Sequence, residues 1–541
     1  MIDICKTEDR STCCLQLPAE PVAKKRKLQQ LVFTFKKTKY TGGVEVDTNV
    51  SFAEQYQMQS PLQYFKKLFG DDLLDFIVDM TNLYSVQQQG KSICVTRKEI
   101  EIVLGIEIIM GIVKMPAIED YWSNDLRFEP IASAMGIKRY RSIKRFLHFC
   151  DNTNVDKNDS YYKVSTVMTH IRQGCLKVEE ERSFAVDEMI IPYKGKKAGN
   201  RKQYNPKKPH KWGFKFLVRA GTSGMVYDFF AYDGANTFQG VPFTEWEQNY
   251  LGVGGKTVVR LCKTISNPVL ATVYFDNWFT SLELLYYLRN EMGLLSLGTI
   301  RKDRLRNCRL TNDNEDMKKK GRGAFKVVCD NTKRLAVTKW VDSQCIHIAS
   351  SFCAQDPVGT IERYDKKDRK RVSVPCPHVI KIYNTHMGGV DIADMLTALY
   401  RIRMKTRRWY MSIFAQLMDI ALNNSWLLHR RDCAQLGNEN KLALKKFRIQ
   451  AALALIKTNT KSHLQRGSLE PASATITKPF MPRPVDESRL DCFDHFPLYT
   501  AQGRCRLCKN GKTMLRYLYS GCGQLGVVDT SMAAPQFHNP Q

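Results

Sequence analysis

The amino-acid sequence predicts an α/β fold in which a sheet-forming segment is framed by helices. Before about residue 180, and again after about residue 380, apolar residues recur at three- and four-residue spacing, which is typical of helices. Between these regions, runs of β-branched and aromatic residues are separated by turn residues, which is typical of strands. A third observation is the formal net charge of +28 over 541 residues, which suits a polyanionic partner.

The composition narrows the class of protein. The 82 Lys and Arg residues against 54 Asp and Glu favour nucleic acid, although a membrane-surface or ribosome-associated protein would carry a similar excess. No apolar run approaches the roughly 20 residues that a membrane span needs, and the N-terminus has no secretory core. The 17 cysteines are dispersed and odd in number, so we expect a reduced intracellular compartment without disulfides and no membrane partner.

The first two segments are a flexible arm and a helical domain. Residues 1–54 lack periodicity and predict a flexible basic arm. Its Lys-Lys-Arg-Lys cluster at 24–27 is either a nuclear localisation signal or a solvated charge run, and a DNA substrate would favour the nucleus. Residues 55–182 predict helices, the first of which begins at Ser60 as N-cap with Pro61 at its first position. A basic helix at 136–150 either faces a phosphate backbone or is simply solvated.

The pattern changes to strands at residue 183. Strands are predicted at 184–193, 211–221 and 225–234, followed by a helical stretch, a strand near 271–279, a helix and a further strand from 294. Strand triplet, helix, strand, helix, strand is the order of an RNase H-like core. In that fold the first and fourth strands lie side by side, so residues 183–300 predict the first part of such a core.

The remaining segments complete the predicted domain order. Residues 301–380 are turn-rich, basic and strand-like, which predicts a β-rich insertion domain. Helical character returns in 381–458, which predicts the last part of the core and further helices. A Ser/Thr/Pro-rich linker at 459–490 then leads to a cysteine-containing tail at 491–541.

Three aspartates are the candidate catalytic residues. Asp187, Asp276 and Asp391 each follow an apolar or glycine-rich approach that ends a strand or opens a helix. Carboxylates gathered by a fold hold hard divalent metal ions for phosphoryl chemistry. Singly, each has an ordinary alternative: Asp391 a helix N-cap, Asp187 a strand-edge polar residue, and Asp276 a turn residue. Together, in this strand and helix order, they favour a metal site, and Asp394 shares a helix face with Asp391.

The residues around these aspartates resemble those of piggyBac-type transposases from about residue 55 to 432. The blocks that carry the resemblance are Asp187-Glu188 with Pro192 and Gly195, Asn205-Pro206-Lys207-Lys208-Pro209, Trp212-Gly213 with Lys215, Asp276-Asn277-Trp278-Phe279-Thr280-Ser281, Gly298-Thr299 with Arg301, Tyr383-Asn384, and Gly388-Gly389-Val390-Asp391 through Asp394.

The resemblance implies a function and a metal site. Asp187, Asp276 and Asp391 would be the catalytic triad and Asp394 an auxiliary acid. The triad would hold two Mg²⁺ about 3.5–4 Å apart, one activating the attacking oxygen and one stabilising the leaving oxygen. Residues 55–182 would serve dimerisation and DNA binding. The implied activity is cut-and-paste cleavage and strand transfer of double-stranded DNA at TTAA sites by a homodimer, through a hairpin intermediate.

Basic residues near the aspartates are the candidate DNA contacts, although each run could also be a solvated surface. Trp409 resembles a tryptophan that the family places near its active site, where it can stack on a displaced base; as a bare feature it is equally a core residue. The candidates are Lys207, Lys208, Lys211, Arg301, Lys302, Arg403, Lys405, Arg407, Arg408 and Trp409.

The tail departs from the family, whose members end in a cysteine-rich zinc domain. Cys505, Cys508, Cys522 and His495 leave at most one incomplete Zn²⁺ site, since the second C-x-x-C pair is absent. Two readings therefore stay open: a transposase or domesticated derivative with an intact triad, and a nuclear DNA-binding protein that no longer transposes. A nuclease without strand transfer fits the family blocks less well.

Overall fold

A computed structural model describes residues 31–46, 52, 57–206, 210–308, 310, 314–365 and 369–457, together with strand residues 497–504, 514–519 and 524–525. The chain forms two compact units, Met1–His463 and Leu464–Gln541. Several predicted features lie outside the described residues: the basic cluster at 24–27, Lys207, Lys208, His495, Cys505, Cys508 and Cys522.

Helices form the described chain between the N-terminal segment and the sheet. They are α1 (Pro61–Leu68), α2 (Asp71–Gln89), α3 (Arg97–Ile112), α4 (Glu129–Ala132), α5 (Ile137–Phe146) and α6 (Ser165–Leu176). The predicted start of α1 is confirmed, because the Ser60 side chain accepts from the Gln63 backbone and Pro61 occupies the first position. The apolar run that continues past α1 is divided at Gly70, where a second helix begins.

Among the described residues, nine strands form the central sheet. They are β1 (Ser183–Pro192), β2 (Lys202–Tyr204), β3 (Trp212–Gly221), β4 (Val226–Ala231), β5 (Thr272–Phe275), β6 (Leu295–Thr299), β7 (Phe325–Asp330), β8 (Leu335–Val341) and β9 (Cys345–Ser350). Between strands lie α7 (Glu245–Tyr250), α8 (Val253–Cys262), α9 (Leu282–Asn290) and α10 (Asn314–Lys319).

The strand order is that of the predicted RNase H-like core. β3 pairs antiparallel with β1 on one side and with β4 and β2 on the other, while β5 lies parallel to β1 and β6 parallel to β5. The first and fourth strands of the core, β1 and β5, are thus neighbours. The mixed α/β fold is confirmed.

The insertion between the second and third aspartates is partly continuous with the core. β9 pairs antiparallel with β6, so β9, β8 and β7 extend the central sheet, where the sequence predicts a separate domain. Pairing satisfies the backbone groups that β6 would otherwise present at an open edge. The other two strands, β10 (Gly359–Asp365) and β11 (Lys370–Cys376), form their own hairpin.

Part of the predicted flexible arm packs on this extension. Residues 31–46 contact the end of β7, the turn between β7 and β8 and the residues that follow β9, and a backbone bridge joins Lys36 to Cys329. Asp330 accepts from the Thr34 backbone at 2.7 Å, and Phe33 is buried. The periodicity of residues 31–46 gave no sign of this docking because the segment forms no regular element of its own.

Helices complete the first unit: α11 (His378–His386), α12 (Gly389–Leu399), α13 (Tyr410–Gln435) and α14 (Leu444–Lys457). α13 is buried over most of its length, and its Asp419 forms a fully buried ion pair with Arg448 of α14. The second unit holds the antiparallel strands β12 (Pro497–Arg504), β13 (Met514–Tyr519) and β14 (Gln524–Leu525). Within the described part of the chain, no helix combines the length and hydropathy of a bilayer span.

Candidate active site

The sheet register places Asp187 beside Asp276. β1 and β5 run parallel with Val186 opposite Phe275, so the next residue on each chain is one of the two aspartates. Adjacent strands are about 4.8 Å apart. Asp187 lies within β1, whereas Asp276 directly follows the last residue of β5. Two residues separated by a long stretch of sequence are thereby brought to one edge of the parallel pair.

The turn after β5 orients the Asp276 carboxylate. The backbone N–H of Trp278 donates to Asp276 Oδ1 at 2.7 Å, and the Thr280 hydroxyl donates to the Asp276 carbonyl at 2.7 Å. Burial raises the pKa of Asp276, the Glu188 charge raises this pKa further, and Arg301 opposes the rise. The Asp276 carboxylate is therefore held in one orientation in a partly desolvated place.

Arg304 clamps the same turn. Its Nη1 donates to the carbonyls of Asn277, Trp278 and Thr280 at 3.2, 2.9 and 2.8 Å. Sequence reasoning did not select Arg304. Its position three residues after the family residue Arg301 was the available signal, but the acceptors are backbone atoms that a residue pattern cannot reveal.

Lys215 supports the turn from the neighbouring strand. Its ammonium lies 4.4 Å from the centre of the Trp278 ring and pairs with Glu188 at 2.6 Å. Lys215, predicted only as one of many cations, thus links β1, β3 and the loop after β5.

α12 delivers Asp391 to the sheet. A Cβ on Gly389 would lie 2.4 Å from the Gly221 carbonyl oxygen, so glycine is required for the helix to begin against the end of β3. Asp391 follows in the first turn and is exposed, whereas Asp394, one turn further, is half-buried. The charge of Asp394 acts on Arg401, the pKa of which burial lowers and Asp419 and Asp394 raise.

All three predicted catalytic carboxylates act on one phenol. The pKa of Tyr383 on α11 is raised to about 12, chiefly by burial, against a hydrogen bond with Thr299. The charges of Asp276, Asp187 and Asp391 raise this pKa further. The three carboxylates therefore belong to one electrostatic neighbourhood, which includes the Tyr383 hydroxyl.

The three aspartates supply the carboxylate oxygens that a hard cation prefers, but they are not already arranged around a metal position. Across the part of the chain that the structure describes, no three His, Cys, Asp or Glu side chains are already grouped to enclose a metal ion. Mg²⁺ is commonly held by one or two carboxylates with waters and substrate phosphates, and so needs no such cage. Among the described residues, no cysteine or histidine joins the three carboxylates in such a group. A site made of carboxylates suits Mg²⁺ better than Zn²⁺.

A basic groove begins where β1 ends. Its volume is about 650 Å³, and its walls are the loop after β1 and the segment between α12 and α13. In the second wall, cations alternate with buried apolar residues, so that Arg403, Lys405 and Arg407 are exposed while Ile402 and Met404 are buried. The cations lining the groove are Lys194, Lys196, Lys197, Arg401, Arg403, Lys405 and Arg407.

The lowered pKa of His210 shows the effect of the positive charges that line this groove. Burial lowers the pKa of His210, and the charges of Arg401, Arg403 and Lys194 lower it further. The single acid in the lining, Asp419, is paired with Arg448. The groove therefore offers a strongly positive surface for phosphates.

The structure separates the predicted DNA contacts into exposed and anchored groups. Lys211, Arg301 and Lys302 are exposed, as are Arg403 and Arg407 in the groove. Lys405 donates to the carbonyls of Met115 and Pro116 at 3.3 and 2.7 Å. Arg408 donates to the carbonyls of Lys144 and Leu147, which fixes the loop before α13 onto the helical region.

Trp409 lies in the core rather than on the surface. It is 7% exposed, with its ring 6.0 Å from Tyr161 and 5.8 Å from Phe214, and the Arg201 guanidinium is 4.4 Å from the ring centre. In this arrangement the indole has no open face for a displaced base.

Comparisons with known proteins identify the family and agree with the fold. The family model described as Transposase IS4 matches residues 60–426. Among human proteins, PiggyBac transposable element-derived protein 3 is 31% identical over 430 residues, covering 78% of this chain and 70% of the relative. PiggyBac transposable element-derived protein 2 is 29% identical over 462 residues, covering 84% and 73%.

A solved structure shares the architecture. The cryo-EM structure of a piggyBac transposase synaptic complex with hairpin DNA superposes with a TM-score of 0.61 at 21% identity, covering 76% of this chain and 83% of that one. At that identity the likeness concerns the fold. With the family model matching well over half of the sequence, this chain belongs to the piggyBac-type transposase family.

Proposed function

We propose that this protein is a metal-dependent DNA transposase, or a domesticated derivative that keeps the chemistry, which cuts and rejoins DNA at TTAA sites. The observation that carries the proposal is the register of β1 and β5, which makes Asp187 and Asp276 neighbours, together with the start of α12 against the end of β3, which brings Asp391 to the same sheet. Carboxylates brought together from two parallel strands and a helix start are an arrangement suited to phosphodiester chemistry.

The three aspartates would hold two Mg²⁺, which when bound activate an attacking oxygen and neutralise charge on a leaving oxygen. The chain's own residues prepare this site. The Trp278 N–H orients the Asp276 carboxylate, and Arg304 fixes the turn that carries it. Because its pKa lies near 12, Tyr383 keeps its proton at neutral pH and can donate a hydrogen bond towards the carboxylates.

The basic groove would carry the DNA backbone to these aspartates. Its cations begin at residue 194, just beyond the end of β1. The solved relative is a synaptic complex with hairpin DNA, which supports the same class of partner for this chain. We extend the proposal to action as a homodimer in the nucleus, where such a substrate is found.

An excision assay on a plasmid that carries TTAA-flanked terminal repeats tests the proposal. Asp187→Asn, Asp276→Asn and Asp391→Asn should each abolish Mg²⁺-dependent excision, because asparagine supplies no negative charge to a divalent cation, while DNA affinity stays nearly unchanged. Asp125→Asn is the matched control, since Asp125 is an exposed aspartate in the helical region.

Two outcomes would contradict the proposal. Unchanged excision in all three variants would remove the aspartates from the chemistry. DNA binding without cleavage by the unmodified protein, with either Mg²⁺ or Mn²⁺, would favour the second candidate, a DNA-binding protein derived from a transposase.

A further inference from the structure

We infer that Tyr204 and Trp212 form a stacking platform for the bases of an unpaired DNA strand, at the end of the basic groove remote from the aspartates. The inference deepens the proposed function and rests on it, because it takes DNA as the ligand. It assigns base contact to an aromatic pair that is absent from the candidate DNA contacts derived from the sequence.

The two rings are exposed together. Tyr204 on β2 and Trp212 on β3 lie directly opposite each other, with ring centroids 4.8 Å apart, and are 52% and 48% exposed. All seven tryptophans of the chain fall within the described residues, and Trp212 alone among them is exposed by more than a third. An exposed aromatic pair of this size is a typical contact surface.

The platform lies on the sheet face that carries Asp187. Asp187 is opposite Val218, and residues opposite each other in an antiparallel pair point to the same side. Because side chains alternate along a strand, Val218, Phe216, Phe214 and Trp212 of β3 share that side. Six residues separate Val218 from Trp212, which at roughly 3.4 Å per residue places the platform about 20 Å from Asp187.

Lys202 joins the platform to the groove. Its ammonium stands 4.7 Å from the centre of the Trp212 ring and donates to the Gly195 carbonyl at 3.2 Å. Gly195 lines the basic groove. The groove and the aromatic pair are therefore contiguous through Gly195 and Lys202.

This combination favours an unpaired strand over duplex DNA. Proteins that bind single strands pair a positively charged groove with aromatic rings on which bases stack. Bases within a duplex are already stacked on each other, so only frayed ends, hairpin tips or displaced strands present a free base face. Trp409, the other candidate for this role, is enclosed by Tyr161, Phe214 and Arg201.

Binding measurements without divalent metal test the inference apart from catalysis. The full chain is titrated in EDTA with an oligothymidylate and with a blunt duplex of equal length, and anisotropy is recorded. Trp212→Ala and Tyr204→Ala should each weaken oligothymidylate binding by roughly 5- to 150-fold, the range of one lost base stack. Affinity for the blunt duplex should change by less than about twofold, because the groove cations remain.

Two further variants control the result. Trp212→Phe keeps a flat ring and should retain most of the oligothymidylate affinity, which separates stacking from a folding defect. Tyr364→Ala removes an aromatic ring of similar exposure (57%) on β10 and should change neither affinity.

Three outcomes would overturn the inference. Equal oligothymidylate binding by the alanine variants and the unmodified protein would show that the rings do not stack bases. Equal weakening for oligothymidylate and blunt duplex would show a contact without preference for unpaired strands. Failure of the unmodified protein to bind either probe would overturn the proposed function as well, whereas the first two outcomes leave it standing.

Discussion

Arg304 sets the position of Asp276 through three carbonyl groups of the intervening turn. The planar guanidinium serves three acceptors with one nitrogen, and its half-buried position excludes competing water. Because the Asp276 carboxylate is anchored to Trp278 of the same turn, any displacement of the turn moves a proposed metal ligand directly.

Arg304→Lys should therefore reduce Mg²⁺-dependent cleavage by about 10- to 100-fold, the effect of misplacing a catalytic group by about 1 Å. The lysine side chain ends one bond before the position of Arg304 Nη1, so its ammonium cannot reach the same three carbonyls unless the turn moves. DNA affinity should stay within about twofold, since the charge is kept. Single-turnover cleavage together with anisotropy measures both quantities.

Arg322→Lys supplies the comparison, because Arg322 is also half-buried, pairs with Asp342 and donates to the Tyr364 carbonyl in the insertion. If Arg304→Lys and Arg322→Lys lower cleavage equally, Arg304 has no special part in positioning Asp276.

Sequence reasoning predicts residues at strand ends better than residues that act through the backbone. Asp187 and Asp276 could be paired in advance because the first and fourth strands of an RNase H-like core lie side by side. Arg304 could not, because its acceptors are carbonyls assembled only in the folded turn. Trp409 and Arg408 show the same limit, since a motif gives the residue type and spacing but not whether the side chain faces solvent or core.

At the scale of elements, the start of α12 lies so close to the end of β3 that no side chain fits at the contact. Gly388 and Gly389 precede Asp391, yet only the second is crowded: a Cβ on Gly389 would meet the Gly221 carbonyl at 2.4 Å, and one on Gly388 would meet nothing within 4 Å. Neither glycine has a positive φ, so close approach decides the requirement.

Gly389→Ala should displace the start of α12 and abolish cleavage, because the clash is with backbone atoms that cannot rotate away. The overpacking should also cost about 1–3 kcal/mol of unfolding free energy. Gly388→Ala is the matched control and should keep cleavage and stability. Excision activity and the thermal midpoint of each variant measure the two effects.

Equal behaviour of the two alanine variants would contradict this account of the glycine pair. Loss of cleavage in Gly388→Ala alone would point instead to a flexible helix start at Gly388.

The sheet extension shows what strand patterns leave undetermined. The strand-like pattern of residues 301–380 predicts a β-rich insertion, but an apolar run does not show which strand it pairs with. Pairing between β9 and β6 depends on which edge is open after the core has formed. For the same reason the sequence could not predict that residues 31–46 bridge to β7.

At the scale of the whole molecule, buried histidines couple stability to pH. Burial lowers the pKa of both His148 and His347 to about 4, against an ordinary value near 6.5. His148 is 1% exposed, lies 2.9 Å from the Tyr410 hydroxyl and 3.1 Å from Asn152 Oδ1, and is near the positive charges of Lys163 and Arg408. A proton on His148 is therefore disfavoured in the folded chain.

Stability should fall as the pH drops from about 6.5 to about 4. In that window the unfolded chain binds a proton at each site that the folded chain does not, so each histidine removes up to about 1.4 kcal/mol per pH unit. His148→Gln should make the fall less steep, measured by thermal midpoints at pH 7, 6 and 5. Parallel slopes for His148→Gln and the unmodified protein would exclude His148 as a source of acid sensitivity.

The contact between the N-terminal segment and the sheet extension also imposes a waiting time during synthesis. Thr34 and its acceptor Asp330 are 296 residues apart. At about 5–20 residues per second, the ribosome needs roughly 15–60 s to make the second after the first. Throughout that interval Phe33 and Phe35, which stack on each other in the finished protein, lack their final docking surface. The chain as far as Asp330 must leave the ribosome before the segment around Thr34 can dock. A chaperone that binds Phe33 and Phe35 would shield them from water during that interval.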